Sequence, residues 1–195
     1  MLTAGIVGLP MAGKTTIFDL VTGAEAEVSR YITGRTETNT GVAFVPDRRV
    51  DALSGLYTPK KTTYAQVLFS DVPGLARGAS QGKGVGNQFL EGIRKADLLV
   101  HVVRAFSDTE IVHVEGSVDP VRDIETVELE LLCSDMELME RRLERLENGG
   151  KVARANAAEA ALLRKCLASL NEGVPLHQAG LTGEESAALK TFNLL

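Results

Sequence analysis

The chain has only two cysteines among 195 residues, too few for a disulfide framework in a protein of this size. No uninterrupted apolar run approaches the roughly 20 residues that a helix needs to span a bilayer. The amino terminus has no basic flank leading into a long apolar stretch, so no secretory signal is read and the cytoplasm is the expected compartment. Positive charge is not in excess either: 21 Lys and Arg stand against 26 Asp and Glu, a formal net charge of −5. That balance excludes a general basic attraction to nucleic acid; direct DNA binding is not expected, and contact with RNA would need a local patch. The rest, 44% hydrophobic and 24% charged, is the composition of a folded globular protein, with room for one sizeable core and an appendage.

Along the chain, Leu2 to Val7 is a short apolar run ending at glycine, the pattern of a buried parallel strand. Thr15 to Thr22 switches to helical spacing with Ile17, Leu20 and Val21 on one side. Ala24 to Thr40 is mostly polar and reads as a long mobile loop. Val42 to Val45 and Ala65 to Phe69 read as strands separated by a turn region at Pro59-Lys60-Lys61. Gly74 to Gly86 is glycine-rich and predicts irregular backbone. Asn87 to Ala96 resumes helical spacing, and Leu98 to Val103 is another apolar strand. Strands alternating with helices predict an α/β fold, a mostly parallel sheet flanked by helices.

After Pro120 the pattern changes. Leu129, Leu132, Met136, Met139, Leu143 and Leu146 recur at spacings of three and four, the a/d seam of a coiled coil. Asn148-Gly149-Gly150 breaks that helix, and Val152, Ala155, Leu162, Cys166 and Leu170 give a second stripe. An inserted antiparallel coiled-coil hairpin accounts for both. The predicted division is a P-loop nucleotide-binding domain over 1–120, the hairpin over 121–175, and a segment returning to the nucleotide domain over 176–195.

Gly8-Leu9-Pro10-Met11-Ala12-Gly13-Lys14-Thr15 fits G-x-x-x-x-G-K-[ST] completely. The glycines let the backbone curl so that several N–H groups point at one anion, and the helix that follows adds its positive end. Gly8, Pro10, Met11, Ala12, Gly13, Lys14, Thr15 and Thr16 are therefore the expected phosphate cradle. Lys14 supplies charge to the β and γ phosphates, and the Thr15 hydroxyl is placed for a Mg²⁺ shell. Asp71-Val72-Pro73-Gly74, at the end of a strand, supplies the rest: a carboxylate for a Mg²⁺-bound water and a Gly74 N–H for the γ phosphate.

The long run from Asp71 through Gly78-Ala79-Ser80-Gln81-Gly82-Lys83-Gly84-Val85-Gly86 to Leu90 resembles the glycine-rich switch II signature of the Obg-like ATPases, the YchF family. So do Thr38-Asn39-Thr40-Gly41-Val42, Pro46-Asp47, His101-Val102-Val103-Arg104, and Ile111-Val112-His113-Val114 before Asp119-Pro120. The resemblance runs from about Gly5 to the end of the chain. It implies a nucleotide-binding domain interrupted by a coiled-coil hairpin, with ATP favoured over GTP, Mg²⁺ as cofactor and the ribosome as partner.

Leu75 stands where many GTPases place a water-orienting Gln, and a leucine cannot orient water. Either hydrolysis is slow or another group acts, and His113 is the candidate catalytic residue beside Lys14. The chain also departs from the family. Arg35 occupies the place of the Mg²⁺-binding Thr of switch I; Thr36 could replace it with a one-residue shift, and Thr33 is a poorer option. The metal set expected is thus Thr15, Thr36 and Asp71. No Asn-x-x-Glu or Asn-Lys-x-Asp segment for reading a base occurs in a suitable context, so the chain is expected to be part of a longer protein. The function expected is a Mg²⁺-dependent ATPase or GTPase acting as a ribosome-associated switch. A non-hydrolysing nucleotide-binding module is the alternative, and a P-loop phosphotransferase the less favoured one.

Overall fold

A computed structural model describes residues 1–23, 38–75, 90, 92–148 and 156–195. Two compact units emerge, Met1–Val127 and Glu128–Leu195. In the first, a four-stranded sheet has the order β2-β3-β1-β4. Its strands are β1 (Leu2–Val7), β2 (Asn39–Phe44), β3 (Gln66–Asp71) and β4 (Leu98–His101). β1 pairs in parallel with both β3 and β4, while β2 runs antiparallel along the outer side of β3. The α/β, mostly parallel sheet expected from the sequence is therefore present, with one antiparallel edge. The register sets Ile6 opposite Asp71 and Val7 opposite His101. The carboxyl ends of three parallel strands thus lie side by side, the place where open α/β sheets bind ligands.

Helix α1 (Lys14–Thr22) packs on β2 and β3, but not through the face read from the sequence. Ile17, Leu20 and Val21 are 38%, 75% and 42% exposed, and the buried side chains are Lys14 and Phe18. The reason is geometric. Lys14 must turn inward to the loop that precedes it, and the residue sharing its side one turn later is Phe18. Placement of one charged residue decides the rotation of the helix, and hydrophobicity follows. The core of this unit collects Phe18 with Ala4, Ile6, Val7, Val72 and Ile93, all essentially buried.

The link between β2 and β3 contains a helix that the sequence reading missed, α2 (Arg48–Tyr57). Its start carries a recognisable cap: the Asp47 carboxylate accepts from the Arg49 amide at 2.9 Å. It buries none of its residues, which is why no apolar stripe announced it.

Helix α3 (Pro120–Glu147) starts in the first unit and continues into the second, which also holds α4 (Ala157–Asn171) and α5 (Gly183–Leu189). Met139, Leu146, Ala160, Leu163, Cys166, Leu170 and Leu189 form one buried cluster, with Leu132, Met136 and Leu143 packed against it. From Leu132 onward the apolar residues of α3 lie in or against this cluster, whereas Leu129 is 53% exposed. Arg142 pairs with Glu159 at 2.8 Å and Arg164 with Glu147 at 2.6 Å. Both pairs join residues 17 apart. Antiparallel helices in a fixed register would change that offset from pair to pair, so these contacts do not report the hairpin register. The break expected at Gly149-Gly150, with Val152 and Ala155 of the second stripe, lies outside the described residues. Helix α5 begins with a reciprocal cap, Thr182 accepting from the Glu185 amide and Glu185 from the Thr182 amide.

Burial, not surface charge, holds the second unit together. Leu163 is fully buried, and truncation of such a leucine costs about 2–5 kcal/mol. Exposed ion pairs contribute roughly 0–1 kcal/mol. Leu163→Ala should therefore lower the unfolding free energy by about 2–5 kcal/mol in urea, and Arg164→Ala by less than about 1 kcal/mol. Equal losses in the two variants would contradict this ordering.

Candidate functional site

The loop from Gly8 to Gly13 leaves β1 and enters α1. Gly8 has φ +149°, and a Cβ added there would lie 2.3 Å from the Val102 carbonyl oxygen at the end of the β4 strand region. Only glycine fits that approach. Met11 sits in the left-handed region at φ 64°, and Gly13 at φ 98° opens the helix without a side-chain cap. The first helical bond runs from the Ile17 N–H to the Gly13 carbonyl. The amides of Lys14, Thr15 and Thr16 therefore have no acceptor within the helix and form its anion-receiving end. The Ala12 amide instead turns to the Leu9 carbonyl, at 3.3 Å.

Lys14 is buried, and its ammonium donates to the carbonyls of Gly8 at 3.2 Å and Leu9 at 2.8 Å. Burial drives its pKa from 10.5 down to about 8, against the opposing pull of the Asp71 carboxylate. Asp71 ends β3, is itself buried, and accepts from the Thr15 hydroxyl at 2.8 Å. The Lys14 ammonium, the α1 amino terminus, the Thr15 hydroxyl and the Asp71 carboxylate thus lie together on one loop.

The D-x-x-G segment is docked on the loop. A Cβ at Gly74 would fall 2.6 Å from the Pro10 backbone, so glycine alone allows this contact. Pro10 serves as a backing surface, having no N–H to offer an anion. Leu75 is 1% exposed, and its amide donates to the Gly8 carbonyl at 3.0 Å. One carbonyl therefore accepts from both Lys14 and Leu75. Sequence reasoning saw in Leu75 only the absence of a glutamine; its side chain is a core residue and its amide ties the segment to the phosphate loop.

His113, the candidate catalytic residue, has partners on both ring nitrogens. Its Nδ1 accepts the Glu115 amide at 3.2 Å, which leaves the Nε2–H to donate to the Asp123 carboxylate at 2.9 Å. With both nitrogens engaged and the side chain buried, the imidazole joins the start of α3 to the loop before it. Arg104, which the sequence reading quoted without a role, is 2% exposed and donates to the carbonyls of Phe106, Asp108 and Ile111. It organises the loop after β4. An Arg directly after an apolar strand was the available signal. Thr36, the residues from 24 to 37, and most of the glycine-rich run after Gly74 lie outside the described residues.

An anion-receiving loop of this construction, backed by a D-x-x-G segment from the adjacent strand, defines a P-loop nucleotide-binding domain of the GTPase kind. Residues 3–135 match the family described as 50S ribosome-binding GTPase. The ribosome-binding ATPase YchF of Bacillus subtilis is 43% identical over 195 residues, covering 100% of this chain and 53% of that protein. Its namesake in Mycoplasma genitalium is 44% identical over 200 residues, with the same coverage of 100% and 53%. The structure of the Schizosaccharomyces pombe YchF GTPase superposes with a TM-score of 0.75 at 35% identity, covering 99% of this chain and 53% of that one. The chain belongs to the YchF family. It spans about half the length of the curated relatives it matches. Among the described residues no helix is long and apolar enough to cross a membrane.

The lowered pKa of Lys14 has a measurable consequence. Above pH 8 or so the empty site holds an amine, whereas a bound triphosphate favours the ammonium. Binding above that pH should take up a proton, and affinity should fall by as much as about tenfold per pH unit. Folding of the empty protein moves oppositely: the cost of the buried charge is relieved as pH rises from about 8 towards 10.5. Calorimetric titration of a non-hydrolysable triphosphate between pH 7 and 9.5, in buffers of different ionisation enthalpy, reads the effect. Constant affinity without proton uptake would contradict it.

Proposed function

We propose that this chain is the nucleotide-binding part of a Mg²⁺-dependent nucleoside triphosphatase that hydrolyses ATP in preference to GTP and switches a ribosome-associated protein between states. The observation that carries the reading is the convergence of Lys14, the α1 amino terminus and the Thr15–Asp71 pair on one loop. The relatives' names, ribosome-binding ATPase, support the choice of ATP and of the ribosome. Because the S. pombe relative is named a GTPase, both nucleotides belong in any assay. Association with ribosomes supports a cytoplasmic location.

The donor set suits Mg²⁺. A hydroxyl and a buried carboxylate supply hard oxygen ligands. No cluster of three His, Cys, Asp or Glu lies among the described residues, so a cation here would share its coordination with phosphate and water, the habit of Mg²⁺. Thr15 and Asp71 would hold it, with Thr36 the proposed further ligand from switch I. When bound, the ion supplies neutralisation of charge developing on the β and γ phosphates. The protein's own share is positioning. Lys14 exchanges its two carbonyl partners for phosphate oxygens, the first-turn amides of α1 orient the chain of phosphates, and the Gly74 N–H is the proposed γ-phosphate donor. His113 is not assigned the water.

The second unit, with the end of α3, is proposed as the helical appendage of the family, of coiled-coil type, and the segment after residue 175 as the return towards the nucleotide domain. A non-hydrolysing module is the second reading, favoured by the burial of Leu75 where a water-orienting side chain would stand.

Phosphate release from ATP and GTP, with and without Mg²⁺, decides among these. Turnover should require Mg²⁺. In Lys14→Ala, loss of charge-assisted contacts worth about 1.5–3 kcal/mol each should weaken triphosphate binding at least tenfold or so and abolish turnover. His113→Asn should retain turnover within a few-fold. Binding without any phosphate release establishes the non-hydrolysing module; unchanged affinity in Lys14→Ala overturns the phosphate-loop assignment itself.

A further inference from the structure

Helix α2 has its polarity reversed. Polar contacts hold its inner side: the Ser54 and Thr62 hydroxyls lie 2.6 Å apart, and the Tyr64 hydroxyl donates to Asp51. Leu53, Leu56 and Tyr57 are spaced to share one face, and they are 56%, 73% and 72% exposed. A helix that buries nothing and turns three large apolar side chains to solvent is built to be covered.

The charges around that stripe narrow what covers it. Arg48 and Arg49 open the helix, and Lys60 and Lys61 follow it, all four exposed. From Arg48 to Lys61 four cations stand against a single carboxylate, in a chain whose net charge is −5. Of these four, Arg49 pairs with Asp47. A second copy of this chain fits poorly. Two α2 helices side by side would set arginines against lysines when antiparallel, and like against like when parallel. RNA would satisfy the cations but offers no apolar face to Leu53 and Leu56. Burial of two leucines outweighs exposed, salt-screened charge contacts, so the stripe decides the class of partner. An apolar groove edged by carboxylates accepts both features, in the manner of an amphipathic helix seated in a groove.

We propose that the outer face of α2 docks into an acidic-rimmed apolar groove on a protein component of the ribosome. The choice of the ribosome as holder of that groove rests on the association proposed above. The test measures cosedimentation of the chain with purified ribosomes in the presence of a non-hydrolysable ATP analogue. Leu53→Ser/Leu56→Ser should weaken binding at least tenfold. Arg48→Ala/Lys60→Ala/Lys61→Ala should weaken it a few-fold and flatten its salt dependence. Leu129→Ser, an exposed apolar change elsewhere, should stay within twofold. Nucleotide affinity, unchanged in all three, reports that they fold. A photoreactive phenylalanine analogue in place of Leu56 should form adducts with a ribosomal protein. Adducts confined to ribosomal RNA, or joining two copies of this chain, overturn the proposal, as does undiminished binding of the leucine variant. In that last case the unmodified chain still binds, so only the α2 assignment falls; if the unmodified chain does not bind at all, the ribosome association falls first and this proposal with it.

Discussion

The nucleotide unit is organised around one buried positive charge. An ammonium removed from water is costly unless partners replace its hydration. Lys14 finds them in two loop carbonyls and, through space, in Asp71. Satisfying that charge fixes the surroundings. α1 must rotate to bring Lys14 inward, which buries Phe18 and leaves Leu20 outside. β3 must end at Asp71, level with the last residues of β1. The loop must curl tightly enough for the Gly8 and Leu9 carbonyls to face the ammonium, which presses Gly8 against Val102.

The same carbonyl makes the site a junction. Gly8 accepts from Lys14 and from the Leu75 amide, so the phosphate loop and the D-x-x-G segment share an acceptor. A phosphate that draws Lys14 away alters the hydrogen bonding of the atom on which the other segment is anchored. Such a shared acceptor gives a physical route from occupancy of the loop to the position of residues after Gly74, without any side chain acting on water. Leu75, buried, is an anchor in this scheme.

The phosphate loop was fully legible in the sequence because its chemistry demands specific residue types at specific spacings. Those spacings singled out Lys14, Thr15, Asp71 and Gly74, which lie around one loop, and the strands were found by their apolar runs. What failed to show were features set by tertiary demands. The buried face of α1 follows from Lys14 rather than from apolar spacing, and α2 buries nothing, so its only signals were the Asp47 cap and the Asp51 that follows. His113 looked like a proton acceptor as a residue type, but its partners, Asp123 and the Glu115 amide, are set by the fold. The capping box at Thr182 and Glu185 is a local signal that carries no apolar periodicity, since α5 is only seven residues long.

If Lys14 and Asp71 divide the work, one receiving phosphate and the other metal, removing the carboxylate charge must separate two effects that are joined in the native protein. Asp71→Asn keeps the shape of the side chain and can still accept from Thr15. Its affinity for a non-hydrolysable triphosphate should stay within a few-fold of the native value without Mg²⁺, and the gain in affinity on adding Mg²⁺ should largely disappear. A Mg²⁺-dependent gain as large as in the native protein would contradict the division of roles between Lys14 and Asp71.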